Sequence, residues 1–270
     1  MATIFGTGGS DFIASTLAGG VAPLNLSDTA SDQVFGGDGA DTILGSILNF
    51  SPSQYFGGSG NDSIVANGGG GTQLFGDDGD DILTGGPGGF NQTFNGGNGN
   101  DRLSGGTASA LLIGGVGNDT IQGNGFSDTI LAGEGADSVR GGNFNDLIDA
   151  GHGNNTVAGG NGGDVILAGF NDDSLSGEAG NDTIDGGSGN NFISGGLDND
   201  LLIGGFGNDT IQGNEGNDTI HGSGGGTSVP GSLANALSGG DGDDSITAGF
   251  GADSIEGGTG HDRIDAGEGE

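Results

Sequence analysis

A nine-residue repeat governs residues 114–221, where it runs without an insertion or a deletion. The copy at residues 114–122 reads GGVGNDTIQ, and the copy at residues 204–212 reads GGFGNDTIQ. With positions numbered one to nine, the pattern is Gly-Gly-x-Gly-x-Asp-x-U-x, in which U is a large aliphatic residue. So strict a period over a dozen copies indicates an architecture in which each repeat is one unit that stacks on its neighbours.

The repeat also predicts local structure. Positions seven to nine, as in Thr120, Ile121 and Gln122, alternate polar and aliphatic residues, which predicts a three-residue strand with U pointing inward. The glycines of positions one to six predict a turn, because glycine adopts positive φ and leaves its carbonyl uncovered. Two units then make one turn of a two-stranded coil, so we predict an all-β, parallel β-roll.

The predicted core is thin. Its inward residues form two ladders, namely Ile121, Val139, Val157, Leu175, Ile193 and Ile211 on one side, and Ile130, Ile148, Ile166, Ile184, Leu202 and Ile220 on the other. Each buried side chain contributes about 2 kcal/mol, whereas ordering each residue costs about 1.5 kcal/mol. Because one unit orders nine residues to bury about one large side chain, hydrophobic burial alone does not fold the chain.

We expect one continuous domain over residues 1–270, in which the quality of the repeat changes along the chain. Before residue 114 the good units alternate with segments that keep an inward residue but lose the acidic turn. The stretches are degenerate repeats at 1–35, repeats with metal sites mainly on one edge at 36–113, regular two-edged repeats at 114–221, an irregular insertion at 222–238, and final repeats at 239–270.

The net charge of the chain limits the classes of molecule that it can bind. The net charge is −34, and the chain has three arginines and no lysine. Nucleic acid and anionic membrane surfaces are therefore poor partners, and multivalent cations are favoured. No apolar run approaches membrane-spanning length, and the N-terminus lacks the basic and apolar regions of a cleavable signal peptide. We therefore expect neither membrane insertion nor a cleaved leader.

The pattern resembles the repeats-in-toxin (RTX) family of calcium-binding nonapeptide proteins over nearly the whole chain. The resemblance implies a right-handed β-roll (β-solenoid) that binds several calcium ions, each between successive turns on the same edge. It also implies a secreted, extracellular or cell-surface protein that a type I system exports. Under the resemblance the ligating carboxylates are those at position six: Asp41, Asp62, Asp81, Asp101, Asp119, Asp128, Asp137, Asp146, Asp164, Asp173, Asp182, Asp200, Asp209, Asp218, Asp244, Asp253 and Asp262.

The residue chemistry agrees with calcium, which takes six to eight oxygens from carboxylates and carbonyls. Some turns depart from the pattern: Asn155 and Asn191 offer a neutral oxygen at position six, and Ala110 offers none. Position four is not glycine at Phe126, Phe144, Asn171 and Asp198. Two alternatives stay open: the aspartates form ordinary Asx-turns, or they bind magnesium, which gives up its water less readily.

No catalytic site is predicted. His152, His221 and His261 occupy different positions of distant units, and neither a Gly-x-Ser-x-Gly elbow nor a His-Glu-x-x-His motif occurs. We therefore interpret the chain as a protein without enzymatic activity.

Three functions are consistent with the sequence. The first is a secreted calcium-binding structural protein that folds on binding calcium and assembles into an extracellular filament, matrix or surface layer. The second is the repeat module of a larger secreted protease, lipase, toxin or adhesin. The third is ice binding, known for some relatives with a flat ladder of Thr and Asn, but position three varies from Glu134 to His152 and Phe170 and gives no uniform ladder.

The terminal repeats predict self-association. Residues 266–270 supply the first half of a repeat, and residues 1–5 supply the second half, with Ile4 at the U position. Joined head to tail, two copies would complete one coil turn and grow a filament, because such a contact does not close on itself. Phe170 and Phe206, at position three of turns on one edge, indicate either a lateral contact surface or local packing across the turns.

Overall fold

The computed structural model describes residues 3–5, 12–14, 33–45, 52–66, 71–86, 91–223 and 234–267, with backbone alone at the first two ranges. The chain falls into two compact units, Met1–Glu134 and Gly135–Glu270. All regular elements in the described ranges are β-strands. None of these residues forms a helix with the length and apolar character needed to cross a membrane.

The first unit consists of two parallel sheets. Its strands are β1 (Thr3–Phe5), β2 (Phe12–Ala14), β3 (Gln33–Asp38), β4 (Thr42–Leu44), β5 (Gln54–Ser59), β6 (Ser63–Ala66), β7 (Gln73–Asp78), β8 (Ile82–Gly85), β9 (Gln92–Asn98), β10 (Arg102–Ser104), β11 (Ala110–Val116), β12 (Thr120–Gln122) and β13 (Thr129–Glu134). Odd-numbered strands pair in sequence order in one sheet, and even-numbered strands do so in the other. The chain thus winds from sheet to sheet as a coil.

The second unit repeats this arrangement. Its strands are β14 (Ser138–Asn143), β15 (Leu147–Asp149), β16 (Thr156–Asn161), β17 (Val165–Leu167), β18 (Ser174–Ala179), β19 (Thr183–Asp185), β20 (Phe192–Leu197), β21 (Leu201–Ile203), β22 (Thr210–Glu215), β23 (Thr219–His221), β24 (Ala236–Asp241), β25 (Ser245–Thr247), β26 (Ser254–Thr259) and β27 (Arg263–Asp265). Even-numbered strands again form one parallel sheet and odd-numbered strands the other. The predicted all-β, parallel β-roll is confirmed.

The core consists of the predicted aliphatic ladders. Ile148 pairs with Ile166, and Ile166 with Ile184, one coil turn apart, and all three are fully buried. In the first unit the segments without an acidic turn still bury their inward residues, namely Tyr55, Leu74, Phe94 and Leu112. In the described part of the first unit, acidic and non-acidic turns alike therefore bury an inward apolar residue.

Half of the strands in the second unit are longer than predicted. The odd strands β15 to β27 have the expected three residues, whereas the even strands have six. The longer strands continue to pair through positions two and three of the next repeat, as between Gly142 and Gly160. On that side the backbone therefore remains extended past position one, and the tight part of the turn is confined to positions four to six.

Two positions of most described turns adopt left-handed backbone angles. Position two does so at Gly160 (φ 121°) and position four at Gly162 (φ 135°), a conformation that glycine adopts without steric cost. Where position four is not glycine, Phe144, Asn171 and Asp198 still take φ of 69°, 82° and 75°, whereas Phe126 does not have a positive φ. Three of the four substitutions therefore keep the left-handed residue, and the turn at Phe126 follows a different backbone path.

Truncation of a core side chain is expected to cost much more stability than truncation of its outward neighbour. Ile166→Ala, at a fully buried position, should lower the free energy of unfolding by about 2–5 kcal/mol. The matched control is Leu167→Ala, at a side chain 41% exposed, which should cost well under about 1 kcal/mol. Urea denaturation in saturating calcium measures both, and equal losses would contradict the inward register of β17.

Candidate metal centre

The position-six side chains stack into columns, one residue per coil turn. We call Asp41, Asp62, Asp81, Asp101 and Asp119 the first-unit column. In the second unit, the full-Asp column is Asp146, Asp164, Asp182, Asp200, Asp218, Asp244 and Asp262. The mixed column on the other edge is Asp137, Asn155, Asp173, Asn191, Asp209, Asn235 and Asp253. Apart from Asp253 and Asp262, all of these side chains are between 1 and 3% exposed.

A hydrogen-bond ladder holds each column. The backbone N–H of Asp164 donates to Oδ1 of Asp182 (2.7 Å), and that of Asp182 donates to Oδ1 of Asp200 (2.8 Å). The first-unit column has the same bonds, as between the N–H of Asp62 and Oδ1 of Asp81 (2.7 Å). Each side chain thus fixes the height of its own turn relative to the preceding one.

At many of these aspartates the second carboxylate oxygen has no such partner. In the described residues Oδ2 is buried and accepts no hydrogen bond at Asp62, Asp81, Asp101, Asp164, Asp182, Asp200, Asp218, Asp244 and Asp253. A buried charged oxygen without a donor is strongly unfavourable. These positions therefore call for a cation or a proton.

The glycine at position one identifies the atoms that surround Oδ2 of the aspartate. A Cβ at Gly177 would overlap Oδ2 of Asp182 and would lie 2.7 Å from the carbonyl oxygen of Gly195, one turn on. Gly195 is crowded in the same way by Oδ2 of Asp200 and the carbonyl of Gly213. Glycine at position one is thus required by close approach, which brings a carboxylate oxygen and a carbonyl oxygen to the same place.

This donor set fits calcium, a hard cation that binds carboxylate and carbonyl oxygens. No three acidic or histidine side chains converge on one point among the described residues. An ion held by these turns must therefore take most of its oxygens from the backbone, with the position-six carboxylates supplying the charge.

Burial raises the pKa of the stacked carboxyls. Desolvation is the largest cause and brings the pKa of Asp182 and of Asp200 to about 7, and repulsion from charged neighbours in the column adds to it. In the mixed column the same desolvation raises the pKa of Asp173 and of Asp209 to about 6. The metal-free columns therefore bind protons far more readily than exposed aspartates, whose pKa is about 4.

The two edges of the first unit differ in the residues at position six. Opposite the first-unit column the equivalent places hold Ser53, Thr72, Gln92, Ala110 and Asp128. Asp128 alone among these residues is acidic, and its Oδ1 accepts the backbone N–H of Ala110 (2.7 Å). All seventeen predicted aspartates lie in the columns or at Asp128, and their role as ligands stays a prediction.

Sequence reasoning missed one member of the mixed column, because Asn235 lies in the stretch interpreted as an irregular insertion. Its Oδ1 accepts the backbone N–H of Asp209 (2.9 Å), and its own N–H donates to Oδ1 of Asp253 (2.8 Å). The regular coil is thus regained before the predicted boundary at residue 239. The signal was present: residues 235–238 read NALS, which fits positions six to nine.

On the edge that carries the mixed column, the residues at position three do not form a uniform surface. His152, Phe170, Ser188 and Phe206 pair in succession through isolated bridges. The rings of His152 and Phe170 lie 4.8 Å apart, so the aromatic residues make local contacts between turns. Phe170 and Phe206 nevertheless remain 57% and 53% exposed.

The raised pKa values predict that acid stabilises the metal-free fold. A carboxyl whose pKa is about 7 when folded and about 4 when unfolded binds more protons in the folded state, so stability rises as pH falls through that window. After removal of calcium on a chelating resin, circular dichroism should show more β signal at roughly pH 5 than at roughly pH 8. Asp182→Asn combined with Asp200→Asn should reduce the difference. A signal independent of pH would show that these carboxyls do not limit metal-free folding.

The sequence matches the family described as "RTX calcium-binding nonapeptide repeat (4 copies)" over residues 28–47, 88–109, 113–148, 131–166, 158–193, 167–202, 194–228 and 238–270. No curated protein sequence matches it. Among solved structures it is similar to the "X-ray crystal structure of a hyperactive, Ca2+-dependent, beta-helical antifreeze protein from an Antarctic bacterium", with 18% identity and a TM-score of 0.36 over 94% of this chain and 80% of that chain. The family match covers well over half of the sequence, and this chain therefore belongs to the RTX calcium-binding nonapeptide repeat family.

Proposed function

We propose that this protein is a secreted, calcium-binding structural protein that folds when it binds calcium and assembles end to end outside the cell. The observation that carries the proposal is the stacking of buried carboxylates, among which Oδ2 of Asp164, Asp182 and Asp200 lacks a hydrogen-bond donor. Membership of a family of calcium-binding repeats identifies the cation, and RTX repeats are typical of secreted proteins.

Coupling of folding to calcium follows from two terms. Each coil unit buries about one large side chain, which does not offset the entropy of ordering nine residues. Turns such as those of Asp164, Asp182 and Asp200 also bury a carboxylate oxygen without a hydrogen-bond donor, which is costly in its charged form until a cation binds. Binding free energy is then folding free energy, since the unfolded chain holds no formed site.

Removal of calcium should therefore unfold most of the chain. Circular dichroism of the resin-treated protein at neutral pH should show little β signal, and millimolar calcium should restore it. Magnesium at the same concentration is the matched control and should restore less, because it gives up its water reluctantly. A full β signal without any divalent cation would contradict calcium-coupled folding.

End-to-end assembly is supported by the last described turn of the second unit. Ile264 in β27 is 48% exposed, whereas its partner Ile246 in β25 is 1% exposed. Ile255 in β26 is likewise less buried than its partner Leu237. Within the described residues β26 and β27 pair on one side only. An exposed strand edge beside uncovered core residues favours pairing with another chain, and we propose a second copy as that chain.

Ile264→Asp is expected to abolish assembly in calcium without loss of the interior β signal, because it places a charge in the end contact. The matched control is Leu167→Asp, at an outward position within the unit, which should leave assembly unchanged. Static light scattering and electron microscopy at high protein and calcium concentration measure the result. An unsubstituted chain that stays monomeric under these conditions would rule out assembly.

The same uncovered end favours one alternative, the calcium-binding module of a larger secreted protein. A following segment of the same polypeptide would cover Ile264 and Ile255 as well as a second copy would. A calcium-loaded monomer in the scattering experiment favours this alternative over the structural protein.

A further inference from the structure

Aspartate and asparagine alternate along the mixed column. The order is Asp137, Asn155, Asp173, Asn191, Asp209, Asn235 and Asp253, whereas the full-Asp column of the same unit has aspartate at every turn. The two edges of one coil therefore bury different amounts of charge. The asparagines show how the hydrogen bonds of a turn are satisfied when position six has no carboxylate.

The asparagines preserve the ladder of the column. The backbone N–H of Asp137 donates to Oδ1 of Asn155 (2.9 Å), and that of Asp173 donates to Oδ1 of Asn191 (3.0 Å). Oδ1 of an asparagine thus accepts the same bond as Oδ1 of an aspartate. The difference between the two residues lies entirely in the second side-chain atom.

That second atom is satisfied within the turn at Asn155 and Asn191, whereas Nδ2 of Asn235 is buried without a hydrogen-bond partner among the described residues. Nδ2 of Asn155 donates to the carbonyl of Ala150 (3.2 Å), and Nδ2 of Asn191 donates to the carbonyl of Gly186 (3.0 Å). In both cases the acceptor is position one of the same repeat. The bond joins the two ends of the turn, so the amide closes it from within.

The amide nitrogen stands where an aspartate places its unsatisfied oxygen. A Cβ at Gly186 would lie 2.9 Å from Nδ2 of Asn191 and 2.7 Å from the carbonyl of Gly204. The equivalent Cβ at Gly177 meets Oδ2 of Asp182 and the carbonyl of Gly195. An amide N–H therefore lies among carbonyl oxygens where a carboxylate would need a positive charge.

We infer that Asn155 and Asn191 replace the cation, so that alternate turns of the mixed column close without calcium. The inference rests on the calcium-coupled folding proposed above. It implies that most calcium ions of the second unit bind along the full-Asp column. It also separates the remaining aspartates of the mixed column by two turns, about 10 Å at about 4.8 Å per strand. That spacing halves their mutual repulsion relative to adjacent turns.

A reciprocal exchange tests the inference. Asn155→Asp with Asn191→Asp gives the mixed column adjacent carboxylates, and Asp164→Asn with Asp200→Asn makes the full-Asp column alternate. Equilibrium dialysis counts the bound calcium ions, and circular dichroism gives the calcium concentration at the folding midpoint. The first variant should bind about two more ions and fold at higher calcium. The second should bind about two fewer and fold at lower calcium, with a shallower transition.

Asp164→Ala with Asp200→Ala is the matched control, since it removes the charge and the ladder bonds together and should raise the midpoint. If the asparagine variant of the full-Asp column also raises the midpoint, an amide does not replace the cation and the inference is wrong. Unchanged ion counts in both exchanges, with calcium still bound by the unsubstituted chain, would overturn this inference alone. Absence of calcium binding by the unsubstituted chain would overturn the proposed function with it.

Discussion

The rest of this structure depends on one interaction, the burial of position-six carboxylates, of which those of Asp164, Asp182 and Asp200 have only one oxygen hydrogen-bonded. In the full-Asp column Oδ1 of Asp182 accepts the N–H of Asp164, and Oδ2 faces the backbone without a donor. The first oxygen sets the rise between turns. The second oxygen makes the stacked arrangement depend on a bound cation, because the burial of a thin aliphatic core does not offset the cost of a buried charge. Architecture and calcium dependence thus come from two atoms of one side chain.

The glycine pattern follows from the same interaction. Gly177 at position one has no Cβ because Oδ2 of Asp182 lies against its Cα, and the carbonyl of Gly195 approaches from the next turn. Positions two and four reverse the chain through left-handed angles so that position six reaches back over position one. Position four accepts Asp198 and Phe144 because residues with a side chain can adopt the left-handed (αL) conformation, although it is less favourable for them than for glycine. In the repeats that contribute to the full-Asp column, position one does not accept a side chain, and it is glycine in every repeat.

Much of the fold could be predicted from periodicity, since the period fixes the inward residue and the turn together. Ile148, Ile166 and Ile184 are buried as predicted, and the aspartates of position six stack in columns. The six-residue strands could not be predicted, because pairing beyond position nine depends on the path of the neighbouring turn. Asn235 was missed because the repeat before it is irregular. At Asn155 the pattern indicates only a neutral oxygen at position six, because the acceptor for its amide, the carbonyl of Ala150, is identified by geometry and not by the pattern.

Neutral residues at position six set how much charge each turn buries. In the second unit, turns that carry two aspartates, as at Asp173 and Asp182, alternate with turns that carry one, as at Asn191 and Asp200. In the first unit Ser53, Thr72 and Gln92 bury neutral groups opposite the acidic column. Repulsion between stacked carboxylates grows with their density, whereas hydrogen-bonded amides and hydroxyls add order without charge. A coil with aspartate at every turn on both edges would gain the most from calcium and be the least stable without it. The mixed composition therefore limits the dependence on calcium while keeping the ladder that every turn requires.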